Sequence, residues 1–190
     1  MKKVMSLVVA ASLLLAACGE EKRTTFTGAS SKIGPVAFDE KEKAILSAVD
    51  QTEQNFISYE ASPGEQVILK KYSYQNGEVT EQEIDLDKSS GIINVGFTLE
   101  QGQLAFKING STHHYGNNEQ SGYMSHRIDE DVVLSTTPTL IATYEATFKE
   151  DGSMTTEHQQ QEGQPYKKMD PTQLDDETIL IDIVAYVKKK

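Results

Sequence analysis

The chain has 190 residues, 29 acidic and 18 basic, for a formal net charge of −11. That balance leaves no basic stripe to pair with phosphates and argues against a nucleic-acid partner, so none is expected. A chain of this length fits one domain plus a tether and can bury roughly 70% of its unfolded surface, while its single cysteine excludes an internal disulfide.

Lys2 and Lys3 open the chain, and an apolar run from Val4 to Ala17 follows, interrupted by Ser6 and Ser12. The run ends at Leu15-Ala16-Ala17-Cys18-Gly19. A basic start, an apolar stretch too short to span a bilayer well and small residues at the cut form a secretory signal. With the only cysteine at the cut, the segment resembles the lipobox of bacterial lipoproteins, and the whole layout resembles small surface lipoproteins of Gram-positive bacteria. The resemblance implies that residues 1–17 are removed and that the Cys18 thiol carries a diacylglyceryl group. The protein would then be held on the outer side of the cell membrane through that lipid. Gly19 stands where, in that family, an Asp signals inner-membrane retention in Gram-negative cells. An acylated Cys18 leaves no thiol for nucleophilic or zinc chemistry. Losing Lys2 and Lys3 takes the mature charge to about −13.

Residues 18–35 are polar, rich in Thr, Ser and Gly, and are expected to form the lipidated cysteine and a flexible tether. Fifteen such residues reach roughly 50 Å when extended. The folded domain is expected over 36–190. Phe38, Ile45, Val49 and Phe56 fall at helical offsets, and Asp39 with Glu42 has the spacing of a capping box, so a helix is expected from about Glu40 to Gln51. A strand near Ala44–Val49 is the competing reading.

Strands follow. Phe56–Glu60 precedes a turn at Ser62-Pro63-Gly64, and Val67–Tyr74 and Val79–Leu86 flank Asn76-Gly77, a strong hairpin signal. Ile93, Val95, Phe97 and Leu99 alternate, Gln101-Gly102 turns the chain, and Leu104, Phe106 and Ile108 alternate back. Leu140 to Phe148 alternates again, with a return strand expected at Met154–Glu157 after Asp151-Gly152. Ile179–Val187 is apolar on both faces except at Asp182, as a central strand would be. Polar loops are expected at Asn109–Gly122 and Gln159–Glu177. The fold class is therefore mainly β, an antiparallel β-sandwich of about seven to nine strands with one N-terminal helix.

Past Cys18 no Gly-x-Ser-x-Gly elbow, P-loop, His-Glu-x-x-His or dinucleotide fingerprint occurs. Asp85 to Gly96 has oxygen ligands at the first, third and fifth places of a calcium loop but ends on glycine where a bidentate Glu is required. The acidic clusters Asp129-Glu130-Asp131 and Asp175-Asp176-Glu177 have the character of solvated turns, and Asn109-Gly110-Ser111 that of a turn. The donor-rich loop around His113, His114, Tyr115 and Asn117 is the candidate ligand-binding site, for a sugar or a metal. On a strand the two histidines would point to opposite faces and could not share a metal. Tyr72 and Tyr74 are expected on one face, packed under the helix.

No cofactor is expected. The leading expectation is a membrane-anchored, extracytoplasmic binding module with a protein or glycan partner at the cell surface. The alternatives are an envelope-polymer hydrolase using His113, His114 or His126, and a solute receptor, which the lack of βαβ alternation opposes.

Overall fold

The computed structural model describes residues 30–48, 56–86, 88–100, 103–117, 122–148 and 160–190. The expected signal segment, Cys18, the expected Gln101-Gly102 turn and the return strand expected at Met154–Glu157 lie outside them. Eleven strands and one α-helix are described: β1 (Lys32–Pro35), α1 (Glu40–Ala48), β2 (Phe56–Glu60), β3 (Glu65–Gln75), β4 (Glu78–Asp85), β5 (Ser90–Glu100), β6 (Gln103–Ile108), β7 (Ser111–Asn117), β8 (Gly122–Arg127), β9 (Val132–Val133), β10 (Thr139–Thr147) and β11 (Thr178–Lys189). A short 3-10 helix at Pro171–Gln173 precedes β11.

All strand pairs are antiparallel, in two sheets ordered β7-β6-β5-β2-β1-β9 and β4-β3-β11-β10-β8. The architecture is the expected sandwich, with eleven strands where seven to nine were expected. Four described strands were not expected, β1, β7, β8 and β9, and two of them correct a specific expectation. Lys32–Pro35, placed by sequence at the end of the tether, pairs with β2 and β9 inside the larger sheet. The loop expected at Asn109–Gly122 is instead a turn followed by β7, with Gly122 already in β8.

Helix α1 starts where its cap dictates. The Glu42 amide donates to Asp39 Oδ1 at 2.8 Å, and the Asp39 amide donates to Glu42 Oε2 at 2.9 Å. That reciprocal pair satisfies two amides that the first helical turn leaves free. Only Leu46 of α1 is buried, so the helix is peripheral.

Alternation sorts each strand into two faces. Ile93, Val95 and Phe97 of β5 and Leu104, Phe106 and Ile108 of β6 meet Val67 and Leu69 of β3, Tyr144 of β10 and Ile179, Ile181 and Ile183 of β11. This interior is apolar and continuous. β11 is the third of five strands in its sheet and is buried from Thr178 to Ala185, which explains its unbroken apolar run.

The outer face of the five-stranded sheet holds a second, smaller core. Tyr72, Tyr74, Leu140, Leu180 and Val184 are buried there with Leu174, and Tyr166 and Met169 pack against them. The polar stretch expected at Gln159–Glu177 is free of strands over its described part, residues 160–177, and supplies this cover. Tyr72 and Tyr74 do share a face, but Tyr166, 4.8 Å from the Tyr72 ring, lies over them where α1 was expected.

Candidate binding site

Asn109 and Gly110 have φ of +46° and +83°, the left-handed pair of a two-residue hairpin turn. The turn returns the chain along β6 with Ile108 opposite Ser111 and Phe106 opposite His113. His113 therefore shares the inward face of Phe106, and His114 takes the other. Tyr115, two places beyond His113, packs against the main core. Its ring centroid is 4.6 Å from that of His113, edge to face.

β3 contributes the opposite wall. Val67 and Leu69 point into the core, so the same alternation turns Lys71 and Ser73 inward. Both are only 8% exposed. In register beside them on β4 stand Gln82 and Thr80. Lys71, Ser73, His113 and Tyr115 thus gather where β7, an edge strand of one sheet, meets β3, next to the edge of the other. His113 is exposed and connects the group to solvent.

These groups are not satisfied by one another. Ser73 Oγ and the Tyr115 hydroxyl are buried and lack a hydrogen-bond partner. They lie within weak hydrogen-bonding range of each other, so that Ser73 partly offsets the upward push of burial on the Tyr115 hydroxyl, but the pair falls short of a well-formed bond. Burial lowers the Lys71 ammonium below its usual value, and no carboxylate among the described residues pairs with it. Burial lowers His113 as well, followed by repulsion from Lys71 and His114.

The expected His113, His114, Tyr115 and Asn117 site is therefore divided. His113 and Tyr115 remain together, His114 faces away, and Asn117 closes β7 in register with Gln103. His126 sits on β8 opposite Thr143, in the other sheet. Strand geometry is the cause: a two-residue period sends neighbouring side chains to opposite faces. Lys71 and Ser73 join the site in their place. Their signal in the sequence was two polar residues continuing the inward row set by Val67 and Leu69. No three His, Cys, Asp or Glu groups among the described residues converge as metal ligands do.

A second buried polar network lies in the outer core and is closed. Asp182, fully buried, accepts from Thr143 Oγ1 and from the Tyr166 hydroxyl, both at 3.0 Å. The Tyr74 and Tyr166 hydroxyls are 2.6 Å apart, and the Met169 amide donates to Tyr74 at 3.3 Å. With Tyr166 donating to Asp182, Tyr74 must donate to Tyr166, giving one directed chain from Met169 to the carboxylate. Burial pushes Tyr74 up to about 12 and Tyr166 higher still, with the Asp182 charge adding to both. This network fastens the 160–174 segment to the sheet. Glu145, also buried on that face, keeps Oε1 unpaired. Of the acidic clusters, Asp131 pairs with Lys32 at 2.5 Å and Asp175 accepts from the Glu177 amide and Thr178 Oγ1, both ordinary surface roles.

No family model, curated protein or solved structure matches this chain.

Proposed function

We propose that this chain is an extracytoplasmic lipoprotein, anchored through Cys18, whose β-sandwich is a non-catalytic binding module with its ligand site at the Lys71, Ser73, His113 and Tyr115 flank. The anchor rests on the basic start, the short apolar run and the Leu-Ala-Ala-Cys ending. The binding role rests on one observation: buried Ser73 and Tyr115 hydroxyls without partners beside a buried, unpaired lysine, at a flank open to solvent. Buried polar groups are nearly always satisfied, and leaving one unpaired costs about 1–3 kcal/mol. A cluster that carries this cost repeatedly is explained by a ligand that supplies the missing partners. The hydrolase alternative has less support, because His113 and His114 diverge and His126 lies on the other sheet.

Two measurements test the reading. Fatty-acid labelling in cells should mark the protein and fail with Cys18→Ala. Amide NMR of the mature chain with cell-envelope fractions should show shifts centred on residues 71–73 and 111–117. Shifts confined to other surfaces would refute the site, and no shift with any fraction would refute the binding role.

A further inference from the structure

We infer that the flank site takes an oxyanion, a carboxylate or phosphate group of an envelope-derived ligand, with Lys71 as its cationic anchor and the Ser73 and Tyr115 hydroxyls as donors. This rests on the binding-module reading and narrows it to a chemical class.

The donor inventory carries the argument. A lysine ammonium offers three donors and no acceptor, each hydroxyl offers one donor, and histidine adds another on its ring. The four groups converge from β3 and β7 with no carboxylate among them. A neutral ligand could use the hydroxyls but would leave the ammonium buried and unpaired, the costliest state for such a group. An oxyanion meets both needs at once, since its oxygens accept from hydroxyls and ammonium together and charge assistance strengthens each bond.

Four other lysines give the contrast. Lys32 pairs with Asp131, Lys70 and Lys168 with Glu81, and Lys188 with Glu83. All four are more exposed than Lys71, so pairing matters less for them. Against these four, the buried Lys71 has no carboxylate partner among the described residues. Lys70 makes the contrast local. It is one residue away on the opposite face of β3, and Glu81 in register with Tyr72 reaches it. Gln82, the register partner of Lys71, is uncharged.

The test is a titration of the full mature chain, kept unlipidated by Cys18→Ala, with sodium acetate and with inorganic phosphate against a sodium chloride control. Amide shifts report the location. One or both anions should move residues around 71, 73, 113 and 115 in a saturable way, and the anion that binds more tightly identifies the group. Removing a charge-assisted contact corresponds to a loss of about 10- to 100-fold, so Lys71→Met should weaken binding by that factor. Tyr115→Phe should weaken it less, and His114→Ala, on the opposite face, should leave it unchanged. A response unaltered by Lys71→Met, or no site-centred response to either anion, overturns the inference. If envelope fractions still shift the flank in that case, the binding module stands and its ligand is neutral. If they do not, both readings fall.

Discussion

Lys70 and Lys71 are neighbours in sequence and opposites in environment. Lys70 lies beside Glu81, which raises its ammonium above the usual lysine value, while burial lowers Lys71. A group whose folded value is lowered holds its proton less well in the native state, so at neutral pH the Lys71 charge works against folding. Lys71→Met keeps the length of the side chain and removes that charge. It is expected to raise the thermal midpoint of the ligand-free protein, by about 1 kcal/mol in stability, while weakening anion binding by the factor given above. A thermal melt beside the titration checks both, and a variant less stable than the parent would mean that Lys71 is satisfied where it stands. His113 gives the pH counterpart. It is lowered from 6.5 by burial, Lys71 and His114, with Tyr115 against its ring. Its unfolded form binds the proton better, so its contribution is full above pH 6.5 and declines as pH falls towards the folded value. The parent should therefore lose more stability than His113→Gln as acidification crosses the histidine range; parallel melting profiles would contradict this.

The β6–β7 hairpin is the element that builds the site, and its turn is the place to break it. Gly110 has φ of +83° and open space around the position of a Cβ, so Gly110→Ala adds no clash and only forces an L-residue into the left-handed region. The expected cost is about 1 kcal/mol, read by chemical denaturation. Loss of the flank amide pattern should accompany it, because the register that turns His113 and Tyr115 inward depends on this turn. The outer cover is held differently. Tyr166→Phe removes one of the donors to buried Asp182 and breaks the chain from Tyr74, for an expected loss of about 1–3 kcal/mol. Limited proteolysis should then cut first within residues 160–174; unchanged cleavage would mean that other contacts hold the segment. These two elements also mark what the sequence could and could not disclose. Asn76-Gly77 was legible as a hairpin because apolar alternation flanks it. Asn109-Gly110 carries the same turn, but the inward residues of β7 are Ser111, His113 and Tyr115, and a polar edge strand has no apolar rhythm to read. β11 was legible from its apolar run, and the shared face of Tyr72 and Tyr74 from their spacing. Which segment covers that face, and which strand brings Lys71 to His113, depend on contacts between residues far apart in the chain.

At the scale of the whole molecule, the proposed anchor raises the question of how a tethered domain would present this flank to a ligand. The described chain enters the larger sheet through β1, the fifth of six strands, while β7 is the first. Four strand spacings separate them, about 19 Å at the usual ~4.8 Å per strand. The site is thus towards the sheet edge remote from the point of chain entry. The proposed tether, residues 18–29, would reach about 40 Å if extended. If the chain is anchored as proposed, strand order and tether reach together would leave the flank clear of the bilayer. The expected result is that the lipidated protein, reconstituted in neutral phosphatidylcholine vesicles, binds the preferred anion within about twofold of the unlipidated chain. Neutral lipid matters here, because an anionic surface would deplete the anion near the membrane and lower the apparent affinity without touching the site. A loss of about tenfold or more on neutral vesicles would mean that the flank lies against the lipid. The anchor and the site would then compete, and the ligand would have to be a membrane component approached from the side.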